Sequence, residues 1–255
     1  MSRLLVKTKH LLRTAKDIGP VKEYRKKIYD KKFENNRDLN LFRGVFSSFE
    51  AANQAANACP KSGSYNNQDS AQMYKTMAAK LFPHDYPNLF WLENKRDEVS
   101  TVYDFGGHFG MKYYAYRKYL KNHETLNWFV HDMPAVMDEG ERYSREQKVD
   151  AHLKFCRDRS NINHTDFFMA LGSLQYIDLT MNDLFANLQK KPKYVLITIP
   201  CSAKPTYYTV NSIGTAHCAY IIRNRDQFIE EMNSLGYELT DAWDIPNKKN
   251  GNPLS

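Results

Sequence analysis

The spacing of apolar positions changes partway along the chain. Leu4, Leu5, Leu11, Leu12, Ala15 and Ile18 recur at helical intervals with basic residues between them, until Gly19-Pro20 stops the pattern. In "FRGVFSSFEAANQAANACP", Ser47 or Ser48 precedes an alanine-rich run, which predicts a capped helix over residues 49–58. "SGSYNNQDS" reads as a loop and "AQMYKTMAAKLF" as a further helix, ended by Pro83 and Pro87. Residues 1–95 are therefore expected to form a mainly helical N-terminal extension or cap.

After "NKRDE" short β-rich runs alternate with helical ones. "STVYDF", "LNWFVHD", "AHLKF", "DFFMAL", "KYVLITI" and "YELTDAWDI" read as strands, and helices are expected over 111–121, 134–143, 179–188 and 225–235. Such alternation predicts βαβ units with right-handed crossovers. Residues 96–255 are expected to be an α/β domain with a Rossmann-like, doubly wound and mostly parallel sheet.

Charge narrows the partners. Residues 1–32 hold eleven Lys and Arg against three acids, a surplus of eight in a chain of net charge +7, so the remainder is one charge negative. Attraction to a polyanion is confined to the N-terminus, and a nucleic-acid groove across the whole protein is not expected. The basic helix over residues 1–20 suits packing on the main domain, or peripheral contact with an anionic membrane. No window reaches the length of apolar sequence that a spanning helix needs, and the N-terminus is too interrupted by charge for a secretory signal, so a cytoplasmic protein is expected. Cys59, Cys156, Cys201 and Cys218 form no C-x-x-C pair and read as small buried hydrophobes, with no metal expected.

The stretch "VYDFGGHFGMKYYAYRKYL" is a strand, a glycine turn and a helix. Glycine permits a tight turn and a close approach of backbone to ligand. The spacing Asp104-x-Gly106-Gly107-x-x-Gly110 departs from the G-x-G-x-x-G fingerprint, and its carboxylate would repel a pyrophosphate. An acid there suits a cationic ligand such as the ammonium and sulfonium of S-adenosylmethionine, and disfavours a nucleotide-dependent oxidoreductase. Asp132, at the end of the next predicted strand, is placed to accept the two ribose hydroxyls of an adenosine.

Together "DFGGHFGMKYYAYRKYL", "WFVHDMPAVMDEG" and "MALGSLQYIDL", in that order, resemble a family of class I S-adenosylmethionine-dependent methyltransferases found largely in bacterial surface-polysaccharide gene clusters. "FRGVFSSFEAA" resembles that family's entry segment and "GTAHCAYIIRNRDQFIEEMNSLGYEL" its late part, so the resemblance runs from about residue 41 to 243. It implies that Asp104, Gly106, Gly107 and Gly110 line the methionine end of the cofactor, that Asp132 takes the ribose and that Met133 packs near the adenine. It further implies that Leu171 and Gly172 border the methionine moiety, with Gln175 and Tyr176 facing the same cleft. Tyr113 and Tyr114, at the helix start, are the tyrosines expected nearest to ligand. A small residue is common in the family where His108 stands, which makes this histidine either a substrate contact or a solvent-facing substitution.

A hydroxyl acceptor benefits from a base titrating near neutrality, a role that histidine suits. His217 is the first candidate, in the segment where class I enzymes commonly place acceptor-binding residues, and His108 the second; His131 precedes Asp132. "TIPCSAKP" stands where family members often continue with an Asp-Arg-Thr-Pro-like stretch, which puts the acceptor residues in question. "ALGSLQYI" lacks the Pro-Pro-aromatic segment with which base-amino methyltransferases grip a flipped base. Class I enzymes normally close the sheet with a seventh, antiparallel strand, for which "PNKKNGNPLS" leaves no room; either the chain is cut short, which is the expectation, or the sheet ends early. The expected function is O-methylation of a sugar hydroxyl of a bacterial surface polysaccharide or its precursor, with S-adenosylhomocysteine as product and a saccharide or small-molecule acceptor. The alternative is a catalytically inactive scaffold of the same fold in glycan assembly.

Overall fold

The computed structural model describes residues 19–36, 39–60, 79–186, 188–213 and 216–245. The basic helix expected over residues 3–18, the loop at 62–70 and most of the helix expected over 71–82 lie outside them. The described chain runs α1 (Gly19–Asn35), β1 (Leu41–Phe46), α2 (Phe49–Asn57), a 3-10 turn (Pro83–Asp85), α3 (Tyr86–Asn94), β2 (Thr101–Phe105) and α4 (Met111–Tyr116). It continues through β3 (Asn127–His131), α5 (Pro134–Glu146), β4 (Leu153–Phe155), β5 (Phe167–Leu171), α6 (Met181–Phe185) and β6 (Tyr194–Thr198). It closes with β7 (Cys201–Ser202), β8 (Tyr207–Ile213), β9 (Ala216–Asn224) and α7 (Arg225–Ser234).

Five strands form a parallel sheet in the order β4-β3-β2-β5-β6. This is the doubly wound, Rossmann-like arrangement. Alternation along β2 explains the two-sided core: Val102 packs with Trp128, Phe167, Met169 and the α3–α4 residues Leu92 and Tyr116, whereas Tyr103 and Phe105 pack with Phe168 and Phe185 on the other side. Both faces are covered, so the strands read as nearly continuous apolar runs.

Residues 41–46, in a stretch expected to be mainly helical, form a strand instead. β1 pairs antiparallel with β8, β8 with β9, and β7 joins β9 in parallel, giving a second sheet in the order β1-β8-β9-β7. Its core is Phe33, Leu41, Ala56, Cys59 and Val210, supplied by α1, α2 and both strands. The alternation in "LFRGVF" was too brief to announce the strand by itself, and its partner lies more than 160 residues away. Ser48 caps α2 as expected, its side chain accepting from Ala51 N.

Residues 237–245, expected as a strand, have no regular structure. Trp91 Nε1 donates to Asp241 Oδ2 at 3.0 Å and Trp243 packs on the core below α3, so side-chain anchoring takes the place of strand pairing. Cys201 is exposed, not buried, because it lies on the short edge strand β7.

One buried ion pair ties the 82–94 segment to the parallel-sheet domain. Asp85 is fully buried and accepts from Lys112 Nζ, from Tyr116 Oη at 2.7 Å and from Phe82 N at 2.9 Å, and Asn88 Nδ2 donates to the same tyrosine at 3.1 Å. Burial raises the carboxyl pKa, but Lys112 and the other donors offset this and hold it below the usual range. The depressed folded pKa means that the ion pair stabilises above the unfolded carboxylate pKa and is lost as pH falls through the folded one. Asp85→Asn is expected to cost about 3 kcal/mol at neutral pH, with the penalty shrinking below about pH 4. Urea denaturation of both proteins at the two pH values measures it, and an equal penalty at both would contradict the ionised state.

Candidate functional site

The chain runs from β2 outward through β3 to β4, then returns to β5 on the other side of β2. The loops after β2 and β5 therefore flank the point where strand order reverses, where open α/β sheets hold ligands beyond the carboxyl ends of their strands. Two glycines in the first loop are left-handed, Gly106 at φ 73° and Gly110 at φ 88°, and His108 joins them at φ 57°. Only glycine takes such angles freely, with histidine among the side chains that tolerate them.

Three contacts set the turn. Gly106 N donates to His131 O at 2.7 Å, and His108 N donates to Asp132 Oδ2 at 2.7 Å. Asp132 Oδ1 accepts from Met133 N at 2.7 Å. The strand-end carboxylate thus holds the turn's backbone while each of its oxygens keeps further acceptor capacity. From the β5 loop, Ser173 Oγ donates to Phe105 O at 2.6 Å, and a Cβ on Gly106 would lie 2.2 Å from Ser173 Cβ. A Cβ on Gly107 would meet the Asp104 carboxyl at 2.5 Å, and one on Gly110 would meet Leu153 at 2.8 Å. The glycines are thus demanded by the protein's own packing, whatever ligand the turn holds.

Asp104 lies beneath the turn, 1% exposed, with Oδ2 accepting from Trp128 Nε1 at 3.2 Å. Desolvation pushes its pKa up to about 7, opposed by the Trp128 hydrogen bond and by Lys112, and reinforced by Asp132. On the β5 side, Gly172 is left-handed at φ 86° and donates to Thr198 O at 2.9 Å, while Leu171 ends the strand half-buried. Gln175 is 7% exposed; its Nε2 donates to Gly172 O at 2.6 Å, while its Oε1 is buried with no hydrogen-bond partner. A buried unpaired carbonyl is costly and marks a place where a donor belongs. Met133 is 41% exposed beside Asp132.

Thus Asp104, Gly106, Gly107, His108, Gly110, Asp132, Met133, Leu171, Gly172 and Gln175 all belong to strand ends or loops around the switch point. Tyr114 faces elsewhere: its ring contacts Phe109, Tyr113 and Tyr143, and with Arg117, Lys118 and Gln147 it lines a cavity of about 290 Å³ that contains no turn residue. Tyr113 is buried against Trp128. His217 is not brought to the turn. It is 5% exposed in β9, with its ring 4.8 Å from that of Phe33 on α1 and its Nε2 3.4 Å from Phe33 O. His131 stacks on Phe105 and its Nδ1 lies 2.8 Å from Cys156 O.

Sequence reasoning missed Trp128 and Ser173. The first was accessible, since Trp128 pairs with Val102 and so shares a sheet face with Asp104 two residues on. The second was not, because the contact joins loops that periodicity cannot align. The second sheet also reaches the site: Tyr176 Oη donates to Asn211 Oδ1 at 3.0 Å and its ring meets Tyr220 at 5.1 Å, with Phe42 at 5.0 Å from Tyr220.

Asp104 has a pH signature of definite sign. Its folded pKa is raised, so its contribution to stability is fully present below the unfolded pKa near 4 and is lost as pH rises towards 7. Asp104→Asn, which mimics the protonated acid, should gain on the parent by a few kcal/mol between pH 5 and pH 8. Denaturant midpoints across that range measure this, and a difference independent of pH would mean an ordinary, ionised carboxylate.

No family model matches the chain, and a search of curated proteins finds no match in sequence. Among solved structures, an O-methyltransferase family protein from Burkholderia thailandensis is 13% identical, over 68% of this chain and 58% of its own, with a TM-score of 0.41. Geranyl diphosphate C-methyltransferase from Streptomyces coelicolor A3(2), solved with Mg2+, geranyl diphosphate and S-adenosyl-L-homocysteine, is 15% identical over 82% of this chain and 77% of its own, with a TM-score of 0.42. An O-methyltransferase from neocarzinostatin biosynthesis, in complex with S-adenosyl-L-homocysteine and 1,4-dihydroxy-2-naphthoic acid, is 12% identical over 65% of this chain and 55% of its own, with a TM-score of 0.38. The chain thus spans little more than half the length of the first and third. At these identities and TM-scores the likenesses carry no activity across, and the Rossmann-like fold stands on the strand order and register.

Proposed function

We propose that the chain is an S-adenosylmethionine-dependent methyltransferase with its cofactor across the loops after β2, β3 and β5. The observation that carries this reading is the convergence, at the switch point, of the left-handed turn, the Asp132 carboxylate and the unpartnered Gln175 carbonyl. Those residues fit the cofactor. Gln175 Oε1 would accept from its amino group, and Asp104, Gly106, Gly107, Gly110, Leu171 and Gly172 would surround the methionine end. Asp132 retains lone pairs for two ribose hydroxyls, and Met133 offers an exposed apolar surface to the adenine. Tyr114 acts at one remove, by packing against Phe109 within the turn.

The cofactor supplies a methyl group already activated on sulfonium. The protein's part is to align the acceptor and exclude water. Of the two histidine candidates, His108 is held at the turn and is our choice for the group that takes the acceptor's proton. His217, buried against Phe33, is assigned packing. We read the acceptor as a sugar hydroxyl of a bacterial surface polysaccharide or its precursor, on the strength of the sequence resemblance. The half-buried rings of Phe42, Tyr176 and Tyr220 offer apolar faces of the kind that sugar rings stack on. In this reading residues 96–255 carry the cofactor, and the 1–95 extension, through β1, completes the sheet beside the acceptor. The basic residues among 1–32 suit an anionic membrane or a polyanionic acceptor. No feature of the described residues favours the scaffold alternative, and no helix among them is long and apolar enough to cross a membrane.

S-adenosylhomocysteine at about 100 times its dissociation constant should add about 2.7 kcal/mol and raise the melting midpoint by several degrees, with NAD and ATP giving no shift. Asp132→Ala and Gln175→Leu should each lose most of that shift. A folded parent protein that fails to respond would overturn the cofactor assignment.

A further inference from the structure

Arg223 is a cation taken largely out of water without an anion to meet it. It lies in β9 opposite Cys201 of β7, and its amide donates to Pro200 O at 3.1 Å. Its Nη2 donates to Leu174 O at 3.3 Å and to Leu179 O at 2.9 Å, both in the loop that follows β5. Its Nε is buried with no hydrogen-bond partner. No carboxylate among the described residues forms an ion pair with it; Glu231 and Asp178 act on it only from farther away. Desolvation pushes its pKa below the ordinary arginine range.

Holding two carbonyls needs only neutral donors, whereas burying an uncompensated charge is expensive. A positive charge kept at that expense, with an N–H left unpaired, is one that an oxyanion would compensate. Position points the same way. Leu174 directly follows Ser173, which closes on Gly106, and Tyr176 joins the same loop to Asn211 and Tyr220. Arg225, two residues on and exposed, acts on the same Cys201 thiol as Arg223 does, and it is paired with Asp226 at 3.9 Å.

We propose that Arg223 binds an oxyanion of the methyl acceptor, so that the acceptor is an anionic molecule bearing a phosphate or a carboxylate. Its place on the acceptor side rests on the methyltransferase reading; the presence of an oxyanion site does not. Arg223 is thereby a specificity-determining residue, separate from those that hold the cofactor.

The test uses the full chain, with and without saturating S-adenosylhomocysteine, in thermal-shift titrations with sodium pyrophosphate or sodium glucuronate at constant ionic strength. The parent protein should be stabilised by at least one probe: pyrophosphate identifies a phosphate source, glucuronate a carboxylate source. Arg223→Gln should abolish the shift, and Arg223→Lys, which keeps the charge but not the fork, should weaken the anion about tenfold. Should Arg223→Gln fail to fold for want of its two carbonyl bonds, Arg223→Lys decides. A parent that binds S-adenosylhomocysteine but neither anion overturns the proposal, as do variants with undiminished anion shifts. An Arg223-dependent anion shift without any response to S-adenosylhomocysteine leaves the oxyanion site standing and removes the cofactor reading instead.

Discussion

The contact between Ser173 and Gly106 is the constraint on which the site depends. The β5 loop can close over the β2 loop only because no Cβ stands at Gly106, and once closed it fixes the carbonyl of Phe105 through the serine hydroxyl. Gly106 then points its amide at His131 O, the chain turns left-handed, and His108 N comes within reach of Asp132. Three parallel strands are thereby tied at their carboxyl ends by two backbone donors and one serine hydroxyl rather than by long side chains. A platform so built gives up little conformational freedom when a ligand settles on it.

Charge is distributed around this platform unevenly. Asp85 is buried and paired, and its partner Lys112 follows the glycines by two residues, where its field opposes the rise of the Asp104 pKa. Asp104, buried beneath the turn, and Arg223, half-buried behind the β5 loop, form no ion pair among the described residues. Each would be better stabilised by a ligand of opposite sign. Asp104 and the unpaired Gln175 carbonyl lie at the loops around the switch point, and Arg223 reaches the loop after β5 from β9. Local cost concentrated in this way is a feature of binding sites more than of scaffolds.

The second sheet gives the N-terminal part of the chain its place. β1 could not survive alone as a six-residue strand; it persists because β8 pairs with it and because Phe33 and Val210 bury a common core. The face of this sheet that carries Phe42, Asn211 and Tyr220 meets Tyr176, so the sheet that packs on the β5 loop is built from segments far apart in the chain.

The parallel sheet, its two-sided core and the turn were legible from sequence because each has a local cause: alternating strand and helix periods, apolar runs for strands covered on both faces, and glycine where the backbone must go left-handed. Asp132 was legible for the same reason, as an acid ending a predicted strand. The second sheet was not, since β1 and β8 are joined by register alone across most of the chain. Nor was the setting of His217, whose segment suggested the acceptor side until α1 was seen to cover it with Phe33. Arg223 carried no signal at all. Residue type and spacing determined which backbone conformations were available, whereas burial, which alone turns a carboxyl near-neutral in pKa or leaves a guanidinium without a counter-charge, arises only when distant segments pack.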